Sequence, residues 1–492
     1  MKKCKLFFTS DVHGYFYPTT YGDLEAKPVG LFGCADDFVK DEDTLIMDGG
    51  DILQGSAFAY FCKHIYESNE PISSIMNDIG YDYYTLGNHD FNYGQEYQGE
   101  YISKHEGRCV CENVLDANQN RLYPYDIRVM KNGLRIGIVG IVTDFINVWE
   151  KKENLVGIQI TDPFEAAKKA LEELKGKTDI NICIYHGGFE RDLDTGEVKG
   201  RTRENVGYRI CEELDFDVLL TGHQHMSIAG RMLHGTYIVQ PLDNAKEYHY
   251  VEILYENGIQ EIRNKKVCSN PDSGKTLQEK YQWMEQQVQE WLNRPVGHLS
   301  KALKPDDKLS MALHGSPIAD FLNRIQLYFS QAQLSTVGLA NDIAGFNSEV
   351  TTRDIIATYP YPNTLVVCSI NGKQLKTVME RSAEYFTVED GKIEISKSFL
   401  EPKVEHYNYD YYAGVTYDIV PQNPVGSRIC NLRYQGQAVS DNQEFTICMN
   451  NYRFSGAGGY PVYPQCPVVK EINLEMVELI MEYFRTHSFI EV

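Results

Sequence analysis

No stretch of the 492 residues approaches the ~20 consecutive apolar residues that a helix needs to span a bilayer, which argues against a membrane-spanning helix. Positive charge is scarce: 47 lysines and arginines against 69 aspartates and glutamates leave a formal net charge of −22. Proteins that bind long nucleic acid carry basic stripes that neutralise phosphates. None is present here, so a duplex nuclease is disfavoured, although a small anion remains compatible with a locally bound cation. The first strand begins by Cys4, leaving no room for a signal peptide's apolar region. The expected location is therefore cytoplasmic, with export only if a leader was removed ahead of Met1. Among 12 cysteines there is no CxxC knuckle, and Cys109-Val110-Cys111 is the one close pair. Buried thiols in a reducing compartment are the simplest reading. There is no internal repeat, no low-complexity segment, and nothing that marks an obligate protein partner.

What the chain does have is five short polar clusters, each directly after an apolar run. They are Asp11 with His13 in TSDVHG, Asp51 in MDGGD, Asn88 with His89 in TLGNHD, His186 in YHGG, and His223 with His225 in TGHQH. The preceding runs, 4–9, 44–47, 83–86, 180–185 and 216–221, read as short buried strands. Each cluster thus falls at the carboxyl end of a strand. Residues 163–174 carry helical periodicity, and the alternation of strand and helix predicts α/β layers with a ligand crevice at those strand ends.

Two divalent cations held a few ångströms apart need a bridging carboxylate, neutral imidazoles, a further carboxylate and room for water and substrate. The clusters supply that mixture. Asp51 is the natural bridge, because its Gly-Gly-Asp turn lets backbone approach closely. The absence of cysteine from the donor set argues against a structural zinc knot. Taken singly, His186 or His225 would read as a structural histidine and Asp51 as a turn residue. Their order and shared strand-end context favour the metal reading. His64, His105, His234, His249, His298, His314, His406 and His487 have no such context and read as surface or packing residues.

The order Asp-x-His, Gly-Asp, Gly-Asn-His-Asp, His-Gly-Gly and Gly-His-x-His resembles the calcineurin-like metallophosphoesterases. More narrowly, the chain resembles the two-domain group of 5′-nucleotidases and 2′,3′-cyclic-nucleotide 2′-phosphodiesterases over nearly its whole length. The resemblance implies an N-terminal four-layer α/β/β/α metallophosphoesterase sandwich and a C-terminal α/β nucleotidase domain. It also implies two divalent ions (manganese, zinc or iron), with Asp11, His13, Asp51 and His225 on one and Asp51, Asn88, His186 and His223 on the other. Water acidified between them would be the nucleophile. His89 would stabilise the transition state or protonate the leaving oxygen. In the 5′-nucleotidase branch an aspartate three positions later orients this histidine, and that position is Asn92 here. An amide accepts a hydrogen bond but holds no imidazolium by charge.

The composition changes near residue 270. Asn270–Gly274 is turn-rich, and Leu277, Tyr281, Met284, Val288 and Trp291 then recur at helical spacing until Pro295. The expected organisation is a phosphoesterase domain over 1–268, a linker with an amphipathic connector helix over 269–297, and a substrate-binding domain over 298–492. The last part is rich in tyrosine and glycine, notably in YNYDYYAG (407–414) and NNYRFSGAGGY (450–460). Rings on glycine-supported loops suit stacking against a base, although for any single tyrosine a packing role is the commoner one. The resemblance places Tyr409 and Tyr460 as the base clamp and Asn341 on the nucleoside. The segment Asn341-Asp342-Ile343-Ala344-Gly345-Phe346 lacks the arginine that 5′-monophosphate enzymes carry there. That absence, Asn92, YPYPNTL (359–365) and NNYR resemble the cyclic-phosphodiesterase branch. The expected substrate is a small nucleotide, and the expected reaction is hydrolysis of 2′,3′-cyclic nucleotides followed by removal of the 3′-phosphate. The alternatives are a 5′-nucleotidase or UDP-sugar hydrolase and, in another class, a non-catalytic nucleotide-binding or sensor protein.

Overall fold

Each of the five apolar runs contains a strand in the computed structural model, which describes residues 1–22, 25–198, 203–361, 363–401, 403–472 and 474–492. The strands are Lys2–Thr9, Thr44–Asp48, Tyr83–Tyr84, Ile180–His186 and Val218–Thr221. The third is shorter than its run because Leu86 turns into the loop at Gly87. The chain divides into two compact units, Met1–Val288 and Gln289–Val492.

The first unit holds two six-stranded sheets. One runs Ile259–Cys268, Glu247–Tyr255, Lys2–Thr9, Thr44–Asp48, Tyr83–Tyr84, Arg108–Cys109. The other runs Ile228–Leu233, Thr236–Gln240, Val218–Thr221, Ile180–His186, Arg135–Val142, Asp126–Val129. The first is antiparallel on its Glu247–Tyr255 side and parallel through to its other edge at Arg108–Cys109, and the second is parallel at the centre and antiparallel at both edges. Strand side chains alternate between faces, which explains the unbroken apolar runs. Ile180, Ile182 and Ile184 face inward onto Leu6, Phe8 and Met47 of the other sheet's core. Cys183 and Tyr185 face outward onto Phe164, Ala167, Ala170 and Leu174. Those four lie on the helix Pro163–Leu174, begun by the Asp162 carboxylate, which accepts from Phe164 N at 2.9 Å and Glu165 N at 3.2 Å. A strand buried on both faces has no polar side to show. The layers are helix, sheet, sheet, helix, and the parallel strands end together on one edge.

The helix Lys275–Leu292 buries Tyr281, Met284, Val288 and Trp291. Within the first unit Tyr281 donates to Asp78 at 2.6 Å and stacks on Phe32 at 6.3 Å. The second unit carries a five-stranded sheet in the order Asp410–Ala413, Leu334–Gly338, Glu444–Asn450, Leu365–Asn371, Val468–Ile472. The helices Pro317–Ser330 and Gly372–Ala383 pack on it. No helix among the described residues is long and apolar enough to cross a membrane.

Candidate metal centre

The strand ends bring the expected donors together. The ligand atoms of Asp11, His13 and His225 lie within 4.8 Å of one another, and so do those of Asp11, Asp51 and His186. His225 Nε2 is 3.3 Å from Asp11 Oδ1 and 3.1 Å from His13 Nε2. Asp51 Oδ2 lies between the two halves, 3.2 Å from His186 Nε2 and 4.0 Å from His13 Nε2. Asn88 Oδ1 is 3.1 Å from His186 Nε2. His223 has its ring 5.4 Å from that of His186, and its Nε2 sits 2.6 Å from Glu204 Oε1. Atoms about 3 Å apart are what two ligands on one ion require when each bond is ~2.1 Å.

Three features make this a built site for divalent cations. First, His13 Nδ1 is 2.8 Å from Gln54 O and His186 Nδ1 is 2.7 Å from Gly49 O. Each carbonyl can only accept, so each Nδ1 carries a hydrogen and each Nε2 is the nitrogen turned into the cluster, where it can take a cation once it is unprotonated. Second, the backbone is left-handed at Asp11 (φ 54), His13 (φ 53), Asp51 (φ 60), His223 (φ 70) and His225 (φ 54). Such non-glycine positions cost about 1–3 kcal/mol each and concentrate at functional sites. Third, burial lowers His13 to a pKa of about 4, whereas at His186 burial is outweighed by the Asp51 and Asp11 carboxylates, which bring it up to about 10. The acidic pocket thus retains a proton that a cation would replace. Asp51 stays well below the usual carboxylate range: burial opposes this, but His186, His89 and His13 outweigh it.

His89 stands beside this cluster. Its backbone N donates to Asp51 Oδ1 at 2.7 Å, its ring centre is 5.3 Å from that of His13, and its Nδ1 is 2.7 Å from Asn92 Oδ1.

Residues that the motifs did not single out hold the loops in place. The buried Asp90 carboxylate accepts from Asp51 N (2.9 Å), Ile52 N (2.9 Å), Leu53 N (3.0 Å) and Gly87 N (2.8 Å), tying two donor loops together. Its place directly after Asn88-His89 was the available signal. Glycine at 87 is required because a Cβ there would collide with the Asp51 carboxylate. Glu204, Glu150 and Asp243, the last 4.0 Å from His225 Nδ1, come from loops with no motif.

In the second unit the two tyrosines expected at the base are buried. Tyr409 is 3% exposed and donates to Ala312 O at 2.8 Å among Tyr385, Phe386 and Tyr411. Tyr460 is 1% exposed, donates to Asn408 O at 2.8 Å, and lies under the Arg453 guanidinium at 4.1 Å. Both rings pack the core and offer no open face to a base. Among the half-buried rings are Tyr361, Tyr407 and Tyr452, with centres 6.4 Å apart for Tyr361 and Tyr407 and 6.5 Å apart for Tyr407 and Tyr452. Pro362 of the 359–365 segment lies outside the described residues. Asn341 joins the loop that leads to Tyr407, with Nδ2 donating to Val404 O at 2.7 Å, and its buried Oδ1 has no hydrogen-bond partner. Arg453 braces the same region through Asp410 at 2.9 Å, Tyr407 O at 2.9 Å and Ala457 O at 2.7 Å.

A paired-sheet sandwich with this donor cluster at its strand ends defines a metal-dependent phosphoester hydrolase. Residues 4–227 match the calcineurin-like phosphoesterase family and residues 295–465 match the 5′-nucleotidase C-terminal domain family. The chain belongs to the family that joins these two domains. A Staphylococcus aureus protein provisionally described as a 5′-nucleotidase, crystallised with α-ketoglutarate, is 32% identical with a TM-score of 0.93, each chain covered over 100%. A trifunctional nucleotide phosphoesterase of Bacillus subtilis, YfkN, is 25% identical over 96% of this chain, which spans 37% of its length. A 2′,3′-cyclic-nucleotide 2′-phosphodiesterase/3′-nucleotidase of Haemophilus influenzae is 26% identical over 98% of this chain and 84% of its own length.

Proposed function

We propose that the protein hydrolyses 2′,3′-cyclic nucleotides to 3′-nucleotides and then removes the 3′-phosphate, using two divalent cations. In this reading Asp11, His13, Asp51 and His225 hold one ion, and Asp51, Asn88, His186 and His223 hold the other. Manganese, zinc and iron all suit imidazole, carboxylate and amide oxygen. The observation that carries the reading is Asp51 Oδ2 lying between His13 and His186, each ring already turned by a backbone carbonyl. Divalent cations, when bound there, supply Lewis acidity to the phosphoryl oxygens and make water a competent nucleophile near neutral pH. His89, on the rim of the cluster, protonates the leaving ribose oxygen or steadies its charge.

Base recognition falls to the second unit, where Tyr407 and Tyr452 are half-buried rings suited to stacking and Asn341 Oδ1 is an acceptor without a partner. The cyclic branch is favoured because no arginine follows Asn341 through Phe346 and because a named cyclic phosphodiesterase aligns over 98% of the chain. The test is initial rates on 2′,3′-cyclic AMP, 3′-AMP and 5′-AMP with manganese. A preference for 5′-AMP would move the protein to the 5′-nucleotidase branch, and normal cation binding without turnover would favour a sensor.

A further inference from the structure

Asn92 presents a neutral amide to His89, and the next link behind it is a carboxylate. Asn92 Nδ2 donates to Glu150 Oε2 at 2.6 Å. Glu150 is itself fixed, since its Oε1 accepts from Lys151 N and from Asn154 Nδ2, both at 2.8 Å. Asn154 Nδ2 also donates to Asn92 O at 2.9 Å, closing the network on the backbone of residue 92. An ionised carboxylate accepts and never donates. The NH2 group of Asn92 must therefore face Glu150, and its carbonyl must face His89. That carbonyl lies 2.7 Å from His89 Nδ1, so Nδ1 has to carry a hydrogen. With the amide turned over, an oxygen would meet the carboxylate oxygen at 2.6 Å with no proton between them. The orientation of the amide and the tautomer of the imidazole are thus set from Glu150, two side chains away from the ring.

We infer that Glu150 is a positioning residue for His89: through Asn92 it holds Nδ1–H on the amide oxygen and so turns Nε2 towards the substrate, the nitrogen that must carry the ring's second proton when the leaving oxygen is protonated. Tautomers in catalytic histidines are commonly fixed by the bond made at the far nitrogen, and removing such outer partners costs about 10–100-fold in comparable sites. The inference rests on the reading of His89 as the group that meets the leaving oxygen. It adds a residue from a different loop, 58 positions along the chain from Asn92.

The test uses the full chain loaded with manganese for kinetics and a metal-free, 15N-histidine-labelled sample for NMR. Glu150→Gln can present either an oxygen or an NH2 to Asn92, so the orientation is no longer dictated. The expected result is a kcat about tenfold or more below wild type with KM within about twofold, and a His89 long-range 1H–15N pattern that changes from a single Nδ1–H tautomer to a mixture. Asn92→Asp alone sets two carboxylates against each other and should lower kcat. Asn92→Asp combined with Glu150→Gln lets the new carboxylate accept from Nδ1–H directly and should recover most of the loss. Wild-type kcat and an unchanged tautomer in Glu150→Gln, or a double variant no better than Asn92→Asp, would overturn the inference. His89→Gln separates the two levels: if it leaves kcat unchanged, the role of His89 itself is refuted, whatever Glu150 does.

Discussion

Replacing Asp51 with asparagine tests the centre at its middle. The amide has the carboxylate's shape, and its oxygen still accepts from His89 N, now 2.7 Å from Oδ1, so the left-handed turn and the packing of Gly87 are retained. What is lost is one negative charge at the point between His13 and His186. A pair of unit charges 4 Å apart interacts by about 4 kcal/mol at an effective dielectric of 20, so a divalent cation at that distance gains about 8 kcal/mol from the carboxylate. If desolvation offsets two thirds of this, about 3 kcal/mol remains, which is roughly two orders of magnitude in Kd. Because the bridge is shared, both cation sites should weaken together. Calorimetric titration of metal-free protein with manganese is the direct measurement. A second readout follows from His186. Its pKa of about 10 means that the wild-type ring is protonated at pH 8 and must release that proton to offer Nε2. Wild-type binding heats should then vary with the ionisation enthalpy of the buffer, and the variant, lacking the first carboxylate that raises His186, should release less. Two manganese affinities within threefold of wild type in Asp51→Asn would refute the bridging role.

The proposed base platform makes a forecast: Tyr407→Ala and Tyr452→Ala should each raise KM by roughly 5- to 150-fold, the equivalent of ~1–3 kcal/mol of stacking, with kcat little changed. Tyr409→Phe loses only the bond to Ala312 O and should cost about 1 kcal/mol in denaturant unfolding; unchanged stability would contradict that buried bond. Asp48 tests linkage: burial pushes its carboxyl up to about 7, against the hydrogen bonds from Thr9 Oγ1 at 2.6 Å and Gly50 N at 2.9 Å. The folded protein thus holds this proton where the unfolded chain has lost it. This group's contribution to stability is present below the ordinary value of 3.8 and is lost as pH rises towards 7, at up to about 1.4 kcal/mol per pH unit. Asp48→Asn should lack that slope, so parallel stability curves for variant and wild type between pH 4 and 7 would contradict the assignment.

The clustering of the expected donors was legible because they punctuate strands. A buried parallel strand must be apolar on both faces, so a polar residue at its end contrasts sharply with what precedes it, and five such contrasts in order specify a layout. The second unit offers no such contrast. In Tyr407-Asn408-Tyr409-Asp410-Tyr411-Tyr412 alternation would put the rings at 407, 409 and 411 on one face, but His406–Asn408 forms a 3-10 turn and the strand begins only at Asp410. Tyr409 is buried and Tyr407 is half-buried at that turn. A Cβ at Gly458 would collide with the Asn408 amide and the Arg453 guanidinium, so the glycine there admits the brace beneath the loop. Glu150 and Glu204 were invisible because their roles depend on loops that meet only in three dimensions.

The backbone itself supplies a signal that spacing cannot. Sixteen non-glycine residues among those described are left-handed, and five of them are the expected ligands Asp11, His13, Asp51, His223 and His225. Glycine would relieve about 1–3 kcal/mol at each of these positions. Aspartate and histidine stand there because the left-handed turn aims a short side chain back across the strand ends, where its donor atom is needed. The strain is concentrated at the proposed ligands, with the two packed sheets behind them.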